Sequence, residues 1–190
     1  MINIFKDIID EEMIEEIKKI EDLYNREEYE KLFETYKEEL QLDVNFEDAE
    51  AFIEGIEDEE MNLTIILLWY LVLKERVLLL DWSGEEYNGQ VEEYINYMFR
   101  DIYNENYEID TQEVYDYFEE ADSKGETRIK KGKHIPILLK FVSKELETKG
   151  YELINLDINS SDYYIVLIKD EVFNNIKNNE YENMKVQYIK

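Results

Sequence analysis

The sequence contains no cysteine and very little proline, glycine or histidine. The absence of cysteine excludes disulfides and thiolate chemistry, which is consistent with a reducing compartment. One proline and 6 glycines in 190 residues predict few chain breaks and a helix-rich fold. Nucleophile–histidine catalysis would have to depend on His134, the single histidine, which lies beside lysines as in ordinary surface loops. No catalytic or cofactor signature is present, and we favour a non-enzymatic, cofactor-free role.

Long hydrophobic runs are also absent. The longest apolar run, residues 63–73, is far shorter than the roughly 20 residues that a helix needs to cross a bilayer. The N-terminal residues 1–7 lack the basic region followed by an apolar stretch that marks a secretory signal. We therefore expect a soluble, cytoplasmic protein with no membrane association.

Positive charge is scarce, and its distribution is uneven. The chain carries a net charge of -27. Residues 1–60 contain 23 acidic and 6 basic side chains, residues 61–123 contain 15 and 3, and residues 124–190 contain 10 and 12. A field of this sign repels nucleic acid and anionic membranes and attracts basic proteins. The charge thus predicts a basic protein partner and no binding to nucleic acid.

Most of the sequence has helical periodicity. Residues 10–58 predict three short amphipathic helices, with Asn25 and Asn45 at positions typical of N-caps. Residues 59–75 predict a buried helix. Further helices are predicted at residues 91–102, from Asp110 to just before Gly125, from Pro136 to Gly150, and from Asp170 to Ile176.

Strand patterns are fewer and lie mainly near the C-terminus. Residues 76–82 form a continuous apolar run typical of an interior strand covered on both faces. Residues 151–158 and 163–169 predict a hairpin across a four-residue turn, and residues 185–189 a short edge strand. The expected fold is therefore α+β and helix-rich, with a small sheet of three or four strands that includes a C-terminal β-hairpin. Residues 1–60 would form an acidic helical flank on an α+β core, residues 61–190, within one compact domain.

The best candidate for chemistry is the acidic segment that follows the first predicted strand. Asp81 and Glu85, joined by Asp157 from the hairpin, have the oxygen ligands that a divalent cation requires. The alternative is structural: Asp81 and Glu85 would cap the next helix, Asp157 would bind turn backbone, and Trp82 would lie in the core. A basic loop at residues 124–134 is a further candidate, either for an anionic partner or as a solvated connection.

Acidic and tyrosine side chains supply the candidates for protein binding. Tyrosine is favoured at interfaces because it combines apolar area with a polar tip. The alternative is that most tyrosines occupy half-buried helix positions, and both interpretations can hold for different residues. The predicted binding residues are Glu12, Glu16, Glu27, Glu34, Tyr87 and Tyr94.

Two segments resemble a family of uncharacterised bacterial proteins, a domain of unknown function. One is Leu79-Leu80-Asp81-Trp82-Ser83-Gly84-Glu85, a strand that ends in an acid and an aromatic residue. The other runs from Lys149 to Tyr164 and contains Gly-Tyr-x-Leu-Ile-x-Leu-Asp followed by Asp-x-Tyr. The resemblance covers residues 63–176, leaves out the acidic N-terminal helices, and implies no activity or catalytic residues.

Three functions remain open from the sequence. The first is an acidic protein-binding module, in particular an immunity-type inhibitor that covers the basic surface of a toxin or enzyme, by analogy with small acidic antidotes to protein toxins. The second is a nucleic-acid mimic whose helix carboxylates imitate phosphates. The third is a metal-dependent hydrolase that uses Asp81, Glu85 and Asp157.

Overall fold

A computed structural model describes residues 2–40, 46–58, 60–123, 133–177 and 184–189. The sequence-based predictions for Asn45, Glu59 and the basic loop residues 124–132 lie outside the described residues. The chain divides into two compact units, Met1–Arg76 and Val77–Lys190. This boundary lies later in the sequence than the predicted one at residue 60, because the helix at residues 63–73 packs with the preceding helices.

The described part of the first unit is helical. Its helices are α1 (Ile2–Phe5), α2 (Glu11–Asn25), α3 (Tyr29–Leu40), α4 (Phe46–Glu57) and α5 (Leu63–Leu73). Asp10 begins α2 as its N-cap, since its side chain accepts a hydrogen bond from the Met13 N–H at 2.8 Å. The predicted N-cap at Asn25 is wrong, because Asn25 is the last residue of α2. The predicted amphipathic helices between residues 10 and 58 are confirmed.

Helix α5 is more exposed than its apolar sequence predicts. Its N-cap Asn62 accepts a hydrogen bond from the Ile65 N–H at 3.2 Å, so the helix begins later than residue 59. Most of its side chains are buried, and α5 packs against α2 and α3. However, Trp69 is 49% exposed and Leu73 is 43% exposed. The predicted buried helix is therefore corrected to a helix with an exposed apolar edge.

The second unit is built around an antiparallel sheet. Its described strands are β1 (Leu78–Leu80), β2 (Tyr151–Asp157), β3 (Tyr163–Lys169) and β4 (Lys185–Tyr188), in the order β1-β3-β2-β4. The predicted hairpin is confirmed: β2 and β3 pair with Tyr151 opposite Lys169 and Asn155 opposite Ile165. The α+β, helix-rich fold class is likewise confirmed.

Strand β1 differs from its prediction in position and in length. It lies at the edge of the sheet, paired with β3, and not in the interior. Leu78 and Leu80 are buried at 9% and 1% exposure, whereas Leu79 between them is partly exposed. An edge strand with one solvent-facing side alternates in burial in this way.

Helices accompany the sheet in the described part of the second unit. They are α6 (Gln90–Tyr97), a π-helical turn (Met98–Ile102), α7 (Gln112–Ser123), α8 (His134–Glu147) and α9 (Asp170–Ile176). Helix α8 packs on β2, and α9 packs on β2 and β3. The predicted single helix at residues 91–102 thus changes to π geometry at Met98, where Met98 and Phe99 are fully buried. Within the described ranges, no helix combines the length and apolar character needed to span a membrane.

Candidate functional site

The segment between β1 and α6, residues 81–89, forms a surface loop that we call the Trp82 loop. It opens with a tight turn in which Asp81 pairs with Gly84, and the Asp81 Oδ1 accepts a hydrogen bond from the Ser83 N–H at 2.6 Å. Trp82 sits at this turn and is 43% exposed. The structural alternative that placed Trp82 in the core is therefore wrong.

The second half of the Trp82 loop, residues 85–89, is held in place by hydrogen bonds of Glu85 and Tyr115. The Glu85 Oε1 accepts a hydrogen bond from the Val91 N–H at 2.9 Å, and its Oε2 accepts one from the Tyr115 hydroxyl. The Tyr115 oxygen in turn accepts a hydrogen bond from the Gly89 N–H at 2.8 Å. Gly89 has a φ of 94°, which a residue with a Cβ adopts only with strain. The Trp82 loop, α6 and α7 are thus joined through the Glu85 carboxylate and the Tyr115 hydroxyl.

The surroundings of the Tyr115 phenol keep it in its protonated form. Burial, followed by the hydrogen bond to Glu85, raises the pKa of Tyr115 well above its ordinary value. The phenol therefore remains protonated at neutral pH and donates a hydrogen bond to the Glu85 side chain. Sequence reasoning selected Glu85 as a metal ligand and missed Tyr115, because no local motif connects two residues 30 positions apart.

His134 lies beside this pair as the first residue of α8. Its ring makes a T-shaped contact with Phe118 at a centroid distance of 4.2 Å and faces Tyr115 at 6.1 Å. Burial lowers the pKa of His134, while the charge of Glu85 acts in the opposite direction. Its Nε2 atom is buried with no hydrogen-bond partner among the described residues. The expectation of a plain surface histidine is therefore corrected.

The structure separates the tyrosines that the sequence grouped together. Tyr87, in the Trp82 loop, is 52% exposed, and its hydroxyl donates a hydrogen bond to the Glu93 Oε2 at 2.7 Å. Tyr117 on α7 is 57% exposed. Tyr94 is only 7% exposed, and its hydroxyl oxygen lies 3.4 Å from the Leu167 N–H that donates to it. Tyr94 is a core residue, and its assignment to a binding surface is corrected.

The candidate acids of the first unit lie on or next to α2 and α3. Glu12 and Glu34 are exposed, and Glu27 is exposed in the turn between the helices, with a φ of 58°. Glu16 is partly buried, with its Oε2 3.8 Å from the Lys19 ammonium. Three of the four predicted acids are therefore available to a partner, and Glu16 belongs to the packing of α2.

The three proposed metal ligands are not brought together. Strand β3 lies between β1 and β2, so the strands leading to Asp81 and Asp157 are about 10 Å apart. Glu85 is engaged by Tyr115 and Val91, and the Asp157 carboxylate accepts hydrogen bonds from the Asn159 N–H and the Gln187 amide. In the part of the chain that the structure describes, no three His, Cys, Asp or Glu side chains are placed to hold a metal ion.

Comparison with known proteins identifies a family and no function. The profile of a domain of unknown function, DUF6630, matches residues 11–178. The match includes the acidic helices α2–α4, so the expectation that they lie outside the family resemblance is wrong. No curated protein and no solved structure shows significant similarity to the chain.

Proposed function

The chain belongs to the DUF6630 family, and we propose that it is an acidic protein-binding module that docks a basic protein through its Trp82 loop. The observation that carries the proposal is the exposure of two large aromatic side chains, Trp82 at 43% and Tyr87 at 52%, within a loop of acidic residues. Binding energy at protein interfaces is concentrated in aromatic anchors of this kind.

The attachment of the loop supports the same proposal. Glu85 and Tyr115 hold the loop on α7, and the Glu86 N–H donates a hydrogen bond to the Gln90 side chain at 3.1 Å. A loop fixed before binding loses less conformational entropy when a partner docks. Trp82 and Tyr87 are thus presented on a preorganised surface.

Charge supplies the preference for a basic partner. Asp81 directly precedes Trp82, Glu86 directly precedes Tyr87, and the whole chain has a net charge of -27. Complementary charge around an apolar contact speeds association and disfavours partners of the same sign. The finer proposal is an immunity-type inhibitor: the partner would be a toxin or enzyme with a basic surface, inhibited when the loop covers it.

Affinity capture with matched variants tests the proposal. The parent protein, a Trp82→Ser/Tyr87→Ser variant and a Tyr117→Ser variant are each immobilised and exposed to lysate of the native host. Tyr117 is the control because it is an equally exposed tyrosine on α7. We expect the parent and the Tyr117→Ser variant to capture the same basic protein and the double variant to lose it.

Two outcomes would redirect the assignment. Equal capture by all three proteins would show that the Trp82 loop is not the docking surface. Release of the captured protein by added duplex DNA, with retention in a DNA-free buffer of equal ionic strength, would favour the nucleic-acid mimic. The hydrolase is not proposed further, since its three carboxylates are engaged elsewhere.

A further inference from the structure

Helix α5, in the residue 1–76 unit, carries an exposed apolar stripe that we call the α5 stripe. Its members are Ile65, Trp69, Val72 and Leu73. Each of the other three lies three or four residues from Trp69, so all four share one face of the helix. Trp69 is 49% exposed and Leu73 43%, and the other two are partly exposed. Clustered exposed apolar side chains, unlike scattered ones, mark a surface that binds another molecule.

The rest of the unit holds the α5 stripe in place. Leu68 and Tyr70, on other sides of the helix, are 0% exposed, and α5 packs on α2 and α3. The Asn62 side chain closes the N-terminal end, and the Arg76 N–H closes the C-terminal end with a hydrogen bond of 2.8 Å to the Leu71 carbonyl. A surface fixed before association loses little conformational entropy when it is covered.

The charges at the two ends of α5 have opposite signs. Residues 57–60 are all acidic, and residues 61–73 contain no charged side chain. Lys74 and Arg76 follow, and they are the two basic residues in the sequence between positions 38 and 99. The Arg76 guanidinium donates a hydrogen bond to the Lys74 carbonyl at 2.9 Å. The order acidic, apolar, basic is complementary to itself when two such helices run antiparallel.

We propose that the α5 stripe is a dimer interface, in which two copies of this chain pair their α5 helices antiparallel about a two-fold axis at Trp69. Ile65 of one copy then lies opposite Leu73 of the other, because both are four residues from Trp69. Lys74 is about 8 Å from Trp69 along the helix axis, and Asn62 is about 11 Å from it on the other side. The basic end of each helix therefore meets the acidic end of the other.

The same charges disfavour a basic protein as the occupant of the α5 stripe. The stripe contains no acid for such a partner, and Lys74 and Arg76 would repel it. A second copy brings the opposite pattern to each end and an apolar stripe to the middle. The dimer therefore uses a different surface from the Trp82 loop and does not depend on the function proposed above.

The net charge limits the strength of this dimer. Each copy carries -27, but repulsion between charges is screened beyond about 8 Å at physiological ionic strength. One helix of 11 residues per copy is also a small contact by the standard of stable interfaces, which bury roughly 1,200–2,000 Å². We therefore expect a reversible dimer with a micromolar dissociation constant.

Sedimentation velocity combined with tryptophan fluorescence tests the interface on the full chain. The sequence contains two tryptophans, so Trp82→Phe leaves Trp69 as the single emitter and Trp69→Phe leaves Trp82. As protein concentration rises, we expect the sedimenting mass to move from monomer to dimer at physiological ionic strength. The emission of Trp69 should shift to shorter wavelength over the same range, because the indole leaves water, and that of Trp82 should not change.

Substitutions in the α5 stripe should weaken the dimer. Trp69→Ser and Leu73→Ser should each raise the dissociation constant at least about tenfold, since each removes an apolar anchor. Trp82→Ser is the matched control, because Trp82 is a tryptophan of similar exposure in the other unit, and this variant should dimerise like the parent.

Charge reversal tests the antiparallel arrangement. Lys74→Glu and Glu60→Lys each place like charges at the ends where the helices meet and should weaken the dimer at least about threefold. The double variant restores opposite charges and should recover most of the loss.

Four results would overturn the proposal. They are a monomeric parent up to about 1 mM, a shift in the emission of Trp82 in place of Trp69, parental dimerisation of Trp69→Ser with parental circular dichroism, and a double charge variant no tighter than the single ones.

Discussion

At the residue scale, the Tyr115 hydroxyl connects three parts of the second unit. It accepts a hydrogen bond from the Gly89 N–H and donates one to Glu85, which itself caps the Val91 N–H. Tyr115→Phe keeps the ring and removes this connection. Because the Gly89 donor and a Glu85 oxygen lose their partner, we expect a loss of about 1–3 kcal/mol in the free energy of unfolding.

Urea denaturation with a matched tyrosine measures this loss. Tyr117→Phe, on the same helix, removes an exposed hydroxyl and should change stability by less than about 0.5 kcal/mol. Equal effects of the two substitutions would contradict a bridging role for Tyr115. A second readout is the exchange of the Gly89 amide proton, which should be faster in Tyr115→Phe alone.

His134 makes stability depend on pH. Because burial lowers the pKa of the folded-state imidazole below its ordinary value of 6.5, the unfolded chain binds a proton more readily in the interval between the two values. Stability therefore falls as pH falls through that interval and is unaffected above it. His134→Gln removes the titrating group, while Glu85, Tyr115 and Phe118 remain around the site.

The comparison requires unfolding curves of both proteins at several pH values between about 5 and 7.5. We expect the stability of the parent to decrease more than that of His134→Gln toward the acidic end, and the two curves to run parallel above pH 6.5. Parallel curves over the whole range would mean that the folded and unfolded states bind a proton at His134 with equal affinity.

At the element scale, β1 offers a direct test of edge-strand burial. Leu80 is 1% exposed, whereas Leu79 is partly exposed on the other side of the strand. Leu80→Ala should cost about 2–5 kcal/mol, since truncation of a fully buried leucine leaves a cavity. Leu79→Ala should cost clearly less, and chemical denaturation of both variants in the same buffer checks the order. Equal costs would indicate that both sides of β1 are buried.

The elements that the sequence predicts well are those whose pattern is local. Residues 151–157 and 163–169 are rich in β-branched and aromatic side chains and flank a polar turn, so both strands and their pairing are predictable. An apolar run such as Val77–Leu80 is compatible with an interior strand and with an edge strand. Only its pairing with β3 decides which of the two positions it takes. The Glu85–Tyr115 contact was unpredictable for the same reason, because it joins distant positions.

At the scale of the whole molecule, both units are acidic. Residues 1–76 contain 24 acidic and 8 basic side chains, and residues 77–190 contain 24 and 13. Composition predicts this charge directly, but it does not predict where the units divide. The sequence assigns residues 63–73 to the α+β core of residues 61–190, and in the structure this helix, α5, packs on α2 and α3. An apolar surface does not specify which neighbour covers it.

The acidity of the first unit should govern how fast a basic partner associates. Glu12, Glu27 and Glu34 are exposed, so their replacement by Lys changes the charge of the surface with little effect on packing. Long-range attraction acts on diffusional encounter, whereas the lifetime of a complex depends on short-range contacts. The triple variant should therefore associate more slowly with the captured partner and show a weaker salt dependence, with nearly the parental dissociation rate.

Surface plasmon resonance at low and at physiological ionic strength separates the two rates. Salt shortens the range of the interaction to about 8 Å at physiological ionic strength, so the difference between variant and parent should be largest at low salt.

The control replaces three exposed acids of α7 in the second unit, Glu113, Glu119 and Glu120, by Lys. This variant has the same net charge over the whole chain as the first variant. A slower association in the first variant alone assigns steering to α2 and α3. Equal slowing in both assigns it to net charge, and parental association of the first variant at low salt would show that these acids only solvate the surface.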